Sequence, residues 1–167
     1  MTLEIRNATE SDLQSMLDIY APYVIDTSIS FEYEPPSLDE FKRRYLETSK
    51  THPWLVAKDG GEVIGYAYAS GLRTRRAYQW SCEVSIYLLR QRRRAGFGKQ
   101  LYLELLARLS KAGFHQAFAG VTSPNNQSEG FHASLGFHKI GTYKKVGYKF
   151  GQWHDVTWYQ LELQAAN

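Results

Sequence analysis

The sequence contains a single cysteine, Cys82, and no run of the roughly 18 apolar residues that a membrane-spanning helix needs. One cysteine excludes an internal disulfide and any cysteine cluster for a metal, so we expect no metal and, by default, a reducing, cytoplasmic location. The first residues, Met1-Thr2-Leu3-Glu4-Ile5-Arg6, lack a signal-peptide pattern, and no membrane association is expected. A formal net charge of +3 is too small to indicate a nucleic-acid-binding protein by itself.

Apolar and charged residues are present in the proportions of an ordinary soluble protein, at 43% and 22% of 167 residues. This length predicts a single domain over residues 1–167, long enough to bury a core. The 24 aromatic residues (12 Tyr, 8 Phe, 4 Trp) are compatible with a ring-lined cleft, although aromatic residues fill cores more often. The positive charge is clustered, at Arg73, Arg75 and Arg76 and again at Arg90 and Arg92 to Arg94.

Strand-like and helix-like patterns alternate along the chain, which predicts a mixed α/β protein built around one sheet. Helix starts are indicated by two capping patterns, Thr9 with Asp12 and Ser37 with Glu40. Two further helices are predicted, at Gly98 to Lys111 and at Ser128 to Leu135. The predicted strands are 3–6, 54–58, 62–70, 79–89, 117–121, 137–145 and 153–163, with a glycine-punctuated loop from Gly147 to Gly151 before the last of them.

A basic, glycine-rich turn joins a strand to the long helix, in the order Arg90 to Arg94 and then Ala95-Gly96-Phe97-Gly98. Free N–H groups and the dipole at a helix start favour an anion, and glycines allow its close approach. A Walker A motif is excluded because no Gly-Lys-Ser/Thr follows, and a dinucleotide fingerprint fails at Leu101, where the third glycine is required. Taken alone, a turn of this kind is more often a surface turn with solvated arginines than an anion site.

Two motifs in this sequence resemble the cofactor motifs of the GNAT acetyltransferase superfamily. The first is Arg93-x-x-Gly96-x-Gly98, and the second runs from Asn125-Asn126-Gln127-Ser128 to Phe131-His132-Ala133-Ser134-Leu135-Gly136-Phe137. Other segments resemble the phosphinothricin N-acetyltransferase subfamily, and the resemblance covers nearly the whole chain. These segments are Ser30 to Pro36, Gly65 to Ala69, Tyr78 to Tyr87 and Lys149 to Val156.

The resemblance implies the GNAT fold, a central mixed, mostly antiparallel sheet of about seven strands flanked by about four helices. It implies transfer of acetyl from acetyl-CoA to the α-amino group of a small amino-acid-like acceptor such as phosphinothricin, methionine sulfoximine or methionine sulfone. Many members form homodimers, so a homodimer is expected. Two alternatives remain: a GNAT enzyme that acetylates a protein or another amine such as an aminoglycoside, and a basic nucleic-acid- or phosphate-binding module that uses Arg90 to Arg94.

By resemblance, backbone groups of the strand before the glycine-rich turn bind the pantetheine arm, and the turn binds the pyrophosphate. The strand residues are Ile86, Tyr87 and Leu88, and the turn residues are Arg93, Arg94, Ala95, Gly96, Phe97, Gly98 and Lys99. Asn125 is expected to bond the cofactor arm, with a simple helix cap as the alternative, and Ser134 to lie near the adenosine.

Glu83 is the candidate general base, since a free α-amine is mostly protonated at neutral pH. The role requires burial among Trp80, Tyr78 and Tyr87 to raise its pKa, or a water relay; the alternative is a solvated charge on a strand. His132 occupies the place where many members of the family carry a tyrosine thought to protonate the thiolate. It is either that acid or a histidine packed on a helix face.

The acceptor site is expected around the loop after the third strand and the strand that follows. By resemblance, its residues are Arg73, Thr74, Arg75, Arg76, Glu83, Val84 and Ser85, and Phe31 closes the pocket from another loop. An arginine there would pair with the acceptor carboxylate, although loop arginines are usually solvated. Strand alternation puts Cys82 on the opposite face from Glu83, in the core. Trp153 and His154 lie in the segment that resembles the subfamily signature. They are equally compatible with packing or with a dimer contact.

Overall fold

The computed structural model describes residues 2–92 and 96–163, so the predictions for Arg93, Arg94 and Ala95 lie outside the described residues. The described part contains seven strands and four α-helices, as the GNAT-type prediction requires. In chain order they are β1 (Leu3–Asn7), α1 (Leu13–Asp26), α2 (Leu38–Thr48), β2 (Trp54–Asp59), β3 (Glu62–Gly71), β4 (Ser81–Leu88), α3 (Phe97–Lys111), β5 (Gln116–Ser123), α4 (Asn126–Ser134), β6 (His138–Lys149) and β7 (Gln152–Glu162).

The strands form one sheet in the order β1-β2-β3-β4-β5-β7-β6, and every neighbouring pair is antiparallel except β4 and β5. The parallel pair is short, because only Ser81–Glu83 of β4 lies in register with Gln116–Phe118 of β5. Beyond Glu83 the two strands no longer pair, while β4 stays paired with β3 as far as Leu88. The sheet is therefore split in its middle, and one edge of β4 is left without a neighbouring strand.

Helices cover both faces of the sheet, each over its own apolar core. The leucine stripe of α3 packs on one face, in a cluster that also holds Cys82, Val84 and Phe137. Helices α1 and α2 cover the other face through Met16, Tyr20, Phe41 and their neighbours. Cys82 is fully buried, as predicted, and burial raises the pKa of its thiol to about 12. None of the described helices combines the length and apolar character needed to cross a bilayer.

The two capping predictions are confirmed. Thr9 and Asp12 form a capping box around a 3₁₀ turn that leads into α1, and the Asp12 carboxylate also accepts a 2.7 Å hydrogen bond from Arg6. The Ser37 hydroxyl accepts the Glu40 N–H at 3.1 Å at the start of α2. Local side-chain chemistry therefore fixes where both helices begin.

The predicted loop from Gly147 to Gly151 is wrong. Strand β6 continues through Gly147 to Lys149, and only Phe150 and Gly151 turn the chain. Both turn residues have positive φ, 53° and 70°, which is the geometry of a two-residue hairpin whose twist matches the strands. The β6–β7 hairpin is consequently longer than predicted, and Gly147 and Lys149 lie within its strand.

Candidate active site

Two adjoining cavities occupy the split between β4 and β5. The outer cavity has a volume of about 340 Å³ and the inner one about 90 Å³. The four residues that line both are Ile29, Ile86, Asn125 and Ser128, so the two cavities form one path from the surface to the middle of the sheet. The outer end is reached at Gly96, Gly98 and Lys99.

The unpaired edge of β4 runs along this path. Val84, Ser85, Ile86 and Tyr87 line the inner cavity, and Ile86 and Leu88 line the outer one. A strand edge without a neighbour presents N–H and C=O groups that an extended, amide-containing ligand can pair with. The Leu88 carbonyl is already engaged by the Tyr23 hydroxyl. Ile86 therefore offers the accessible backbone groups of this edge, because those of its neighbour Tyr87 point to the other edge, toward Tyr66 of β3.

The start of α3 is built around two glycines. Gly96 is its N-cap and has φ = +79°, a conformation that side chains with a Cβ rarely adopt. Gly98 has a different role, because a Cβ at this position would lie 2.8 Å from Cδ1 of Leu88. The missing Cβ brings α3 close to β4 at the mouth of the outer cavity. Of the other turn residues in the described part, Lys99 lines that cavity and Phe97 packs against the core.

Asn125 caps a helix, the alternative considered from the sequence, and it also borders the path between the strands. Its Oδ1 accepts the Ser128 N–H at 3.1 Å, which caps α4, and the residue also lines both cavities. Ser134 does not line either cavity. It is exposed at the end of α4, and its hydroxyl donates to the Phe131 carbonyl at 2.7 Å.

Glu83 lies on β4 at the point where the pairing with β5 ends. Burial raises the pKa of its carboxyl, and the charge of Arg73 opposes this shift. Two of the three rings predicted to bury Glu83 are themselves largely exposed, Tyr78 at 42% and Trp80 at 52%. Its surroundings include the hydroxyls of Tyr68 and Tyr87, whose pKa values are raised by burial first and also by the Glu83 charge.

His132 lines the inner cavity and is 5% exposed. Its Nδ1 lies 2.8 Å from the Ser128 carbonyl, and since a carbonyl only accepts, Nδ1 carries the proton. In the neutral ring Nε2 then accepts from the Tyr102 hydroxyl, 3.2 Å away. Burial lowers the pKa of the imidazole, whereas the bond to Ser128 opposes that shift.

Tyr102 is a cavity residue that the sequence reasoning missed. It is fully buried on α3, lines the inner cavity and holds the His132 ring in an edge-to-face contact with 5.5 Å between centroids. In the sequence it lies beside the leucine stripe of α3, where a tyrosine is typical of a core position. Its one distinguishing signal is a hydroxyl on a buried helix face, which requires a partner.

The arginine cluster lies on the surface. Arg73, Thr74, Arg75 and Arg76 are all exposed in the segment between β3 and β4. Arg73 is near enough to Glu83 to act on its pKa, so the structure brings this arginine to the candidate base.

The loop after α1, residues Thr27–Tyr33, contains Phe31, which the sequence predicts at the acceptor pocket, and this segment is called the acceptor loop for that prediction. Its Phe31 ring lies on Gly147 of β6, where a Cβ would come within 2.2 Å of a ring atom, and 6.1 Å from the ring of His154. Ile29 of the same loop lines both cavities, which the sequence did not reveal. The exposed Trp153 packs on Tyr148 on the outer side of the hairpin.

Comparison with known proteins gives the family. Residues 5–158 match the family model described as an acetyltransferase (GNAT) domain. The chain belongs to the GNAT acetyltransferase family. This membership, with the relatives below, confirms the predicted family, fold and enzyme class, an N-acetyltransferase.

Relatives along almost the whole length carry specific names. A phosphinothricin N-acetyltransferase of Streptomyces viridochromogenes is 35% identical, with 97% of this chain and 88% of the relative covered. An L-methionine sulfoximine/L-methionine sulfone acetyltransferase of Pseudomonas aeruginosa is 36% identical over 98% and 96% of the two chains. The crystal structure of a GNAT superfamily phosphinothricin acetyltransferase from Sinorhizobium meliloti in complex with acetyl-CoA is 39% identical, covers 98% and 89%, and superposes with a TM-score of 0.94.

Proposed function

We propose that this enzyme transfers acetyl from acetyl-CoA to the α-amino group of a small amino acid of the phosphinothricin, methionine sulfoximine or methionine sulfone type. The observation that carries the proposal is the continuous path between β4 and β5, which leads from a helix N-terminus to Val84 and Ser85, the residues that directly follow Glu83 on β4. The substrates named for its relatives support the acceptor class. The chain acts as one acetyltransferase domain over residues 1–167, and its cytoplasmic location stays a prediction.

The path fits acetyl-CoA. Its outer end offers Gly96, Gly98 and Lys99 to a pyrophosphate, in line with the anion preference of a helix start, and Arg93, Arg94 and Ala95 complete the segment in sequence. The backbone of Ile86 and the side chain of Asn125 border the stretch where the amide-bearing arm would lie, with Tyr87 and Leu88 beside Ile86 in the strand. When bound, acetyl-CoA supplies an activated acetyl thioester. Ser134 is proposed for the adenosine end only from the family motif.

Glu83 is proposed to take the proton from the acceptor amine, and His132 to protonate the coenzyme A sulfur. The raised pKa of Glu83 makes its carboxylate a stronger base toward the ammonium group of the acceptor. The lowered pKa of His132 makes its imidazolium a stronger acid toward the thiolate. Arg73 is the proposed partner of the acceptor carboxylate, with Thr74, Arg75 and Arg76 beside it. Val84, Ser85 and Phe31 are proposed to border the acceptor.

Release of free thiol from acetyl-CoA tests the proposed function. We expect thiol release that depends on the acceptor, with phosphinothricin, methionine sulfoximine and methionine sulfone as good acceptors, and none with their N-acetylated forms. A panel that also contains a ribosomal-protein N-terminal peptide and an aminoglycoside separates the alternatives. Thiol release only with the peptide or the aminoglycoside would contradict the amino-acid proposal, and none with any amine would contradict the activity.

A homodimer is proposed through the β6–β7 hairpin. Strand β6 is the last strand of the sheet, and large apolar side chains on the hairpin are exposed, namely Ile140, Tyr143, Val146, Tyr148, Phe150 and Trp153. An apolar edge of this kind favours pairing with a second copy. We expect sedimentation velocity to give a particle of twice the chain mass, reduced to the chain mass by Trp153→Asp. A wild-type chain that sediments as a monomer would contradict this.

A further inference from the structure

Lys149, the last residue of β6, is buried although it is a lysine. Only 3% of it is exposed, and its ammonium donates three hydrogen bonds of 2.7 Å each, to the carbonyls of Val24, Thr27 and Ser30. An ammonium has three N–H donors, so its bonding capacity is fully used. Burial lowers the pKa of this ammonium, and the charge of Glu32 opposes the shift.

The three carbonyls belong to the end of α1 and the acceptor loop. Val24 lies in the last turn of α1, Thr27 directly follows the helix and Ser30 is in the middle of the loop. Carbonyls at a helix C-terminus lack partners within the helix and carry the negative end of its dipole, so a cation there satisfies both. Lys149 therefore fixes the direction in which the chain leaves α1.

The same loop is held from other sides. The Thr122 hydroxyl of β5 donates to the Ser28 carbonyl at 2.7 Å, and the Ser30 hydroxyl lies 2.7 Å from that of Tyr20. Glu32 accepts a 2.7 Å hydrogen bond from Arg44 of α2. A segment without regular structure is thus tied to α1, α2, β5 and β6, although it makes no strand pairs of its own.

Two side chains of the anchored loop, Ile29 and Phe31, lie near the proposed site of the reaction. Ile29 and Phe31 flank Ser30, whose carbonyl Lys149 holds. Ile29 lines the cavities, and Phe31 lies on Gly147, two residues before Lys149. Because Ile29 and Phe31 are joined directly to Ser30 through the backbone, a shift of the Ser30 backbone moves both side chains.

We propose that Lys149 is a positioning residue for acceptor binding, whose ammonium holds the acceptor loop so that Ile29 and Phe31 border the site where acetyl is transferred. The proposal rests on the proposed function, since it assigns the loop to the acceptor side of the same site. A loop held in advance spares the acceptor the entropy of ordering it, which improves binding and alignment. Ile29 also lines the outer cavity, so loss of the anchor is expected to act more on the acceptor than on the cofactor, whose pyrophosphate end is assigned to Gly96, Gly98 and Lys99.

The experiment compares three variants. Lys149→Met keeps the length of the side chain and removes every donor, Lys149→Gln keeps two neutral donors, and Lys139→Met is the matched control on the exposed part of β6. We expect the acceptor KM to rise about ten-fold or more in Lys149→Met, and less in Lys149→Gln, from the strength of charge-assisted bonds. The dissociation constant of coenzyme A, measured by calorimetry, is expected to change less than about three-fold. Lys139→Met is expected to behave as wild type.

Amide hydrogen exchange of residues 27–33 gives a readout independent of activity. We expect faster exchange there in Lys149→Met, while α3 keeps the wild-type rate. An unchanged acceptor KM in a folded Lys149→Met, or unchanged exchange in this segment, would overturn the proposal. So would equal losses of acceptor and coenzyme A affinity in both Lys149 variants, because those indicate general destabilisation. If wild type acetylates no amine, the proposed function fails, and exchange alone still decides the positioning.

If Lys149→Met does not fold, Thr122→Val takes its place beside Lys149→Gln. Valine has nearly the shape of threonine and removes only the bond to the Ser28 carbonyl. We expect both variants to raise the acceptor KM about three-fold, with exchange faster in residues 27–33. Wild-type values in both would overturn the proposal.

Discussion

Replacing Glu83 by Gln is expected to lower kcat by about 10²- to 10⁴-fold, the usual contribution of a positioned general base. Glutamine has nearly the size of glutamate, so the half-buried position on β4 stays filled, while the group that accepts the amine proton is lost. Steady-state kinetics with saturating acetyl-CoA and acceptor give the comparison. Glu4→Gln, an exposed position on β1, is the matched control and is expected to keep wild-type turnover.

The pH dependence separates this role from a structural one. A base works as carboxylate, so the rate rises as pH increases through the Glu83 pKa, which burial has raised above its usual value. The amide of the Glu83→Gln variant does not titrate, and this part of the rise disappears. The rise near pH 8 to 10, where the free amine itself loses its proton, remains. An identical profile in Glu83→Gln and wild type would show that Glu83 does not carry the proton.

The local structure around the site was predictable from the sequence, whereas the position of Glu83 was not. Strands, helix starts and the glycine-rich turn follow from local rules, since period, capping residues and glycine conformations act within a few positions. Thr9, Ser37 and Gly96 all have the local roles that their residue types indicate. The position of Glu83 at the split of the sheet depends instead on β5, more than thirty residues further along the chain.

Features that depend on distant packing were not predictable in the same way. From the sequence, Gly98 is expected to let a phosphate come close to the backbone. In the structure its missing Cβ also allows α3 to pack against Leu88. Gly147 resembles a loop residue because its partner, the Phe31 ring, comes from a segment over a hundred residues earlier. Lys149 resembles a surface charge, since nothing near it in sequence indicates three carbonyls from α1 and the acceptor loop.

The two candidate catalytic groups belong to different elements, β4 and α4, and their pKa values are shifted in opposite directions. The pKa of Glu83 is raised and that of His132 is lowered, both mainly by burial. For a base that must be a carboxylate and an acid that must be an imidazolium, these shifts narrow the gap between the two values. Burial thus brings the pKa values of the proposed base and the proposed acid closer together.

His132→Phe is expected to lower kcat by about 10²-fold, from loss of general acid catalysis. Phenylalanine keeps a ring among Phe131, Phe137 and Tyr159, with which the imidazole packs at 5.2 to 5.8 Å between centroids. Calorimetry of coenzyme A binding checks that the cavity remains. The sign of the pH effect is fixed: the imidazolium fraction falls as pH rises through the lowered pKa. The ratio of wild-type to variant rates is therefore expected to be largest at low pH and to shrink toward neutrality.

Tyr102→Phe tests whether His132 protonates the coenzyme A sulfur directly or through the Tyr102 hydroxyl. It leaves the imidazole in place and removes the hydroxyl that bonds Nε2 at 3.2 Å, while the stacking on Phe131 is kept. If Nε2 of the imidazolium gives the proton directly, the variant keeps most of its turnover. A loss as large as that of His132→Phe means that the proton passes through the Tyr102 hydroxyl. A wild-type to His132→Phe ratio that does not fall as pH rises through the lowered pKa of His132 would contradict proton donation by this residue, because the imidazolium fraction falls there.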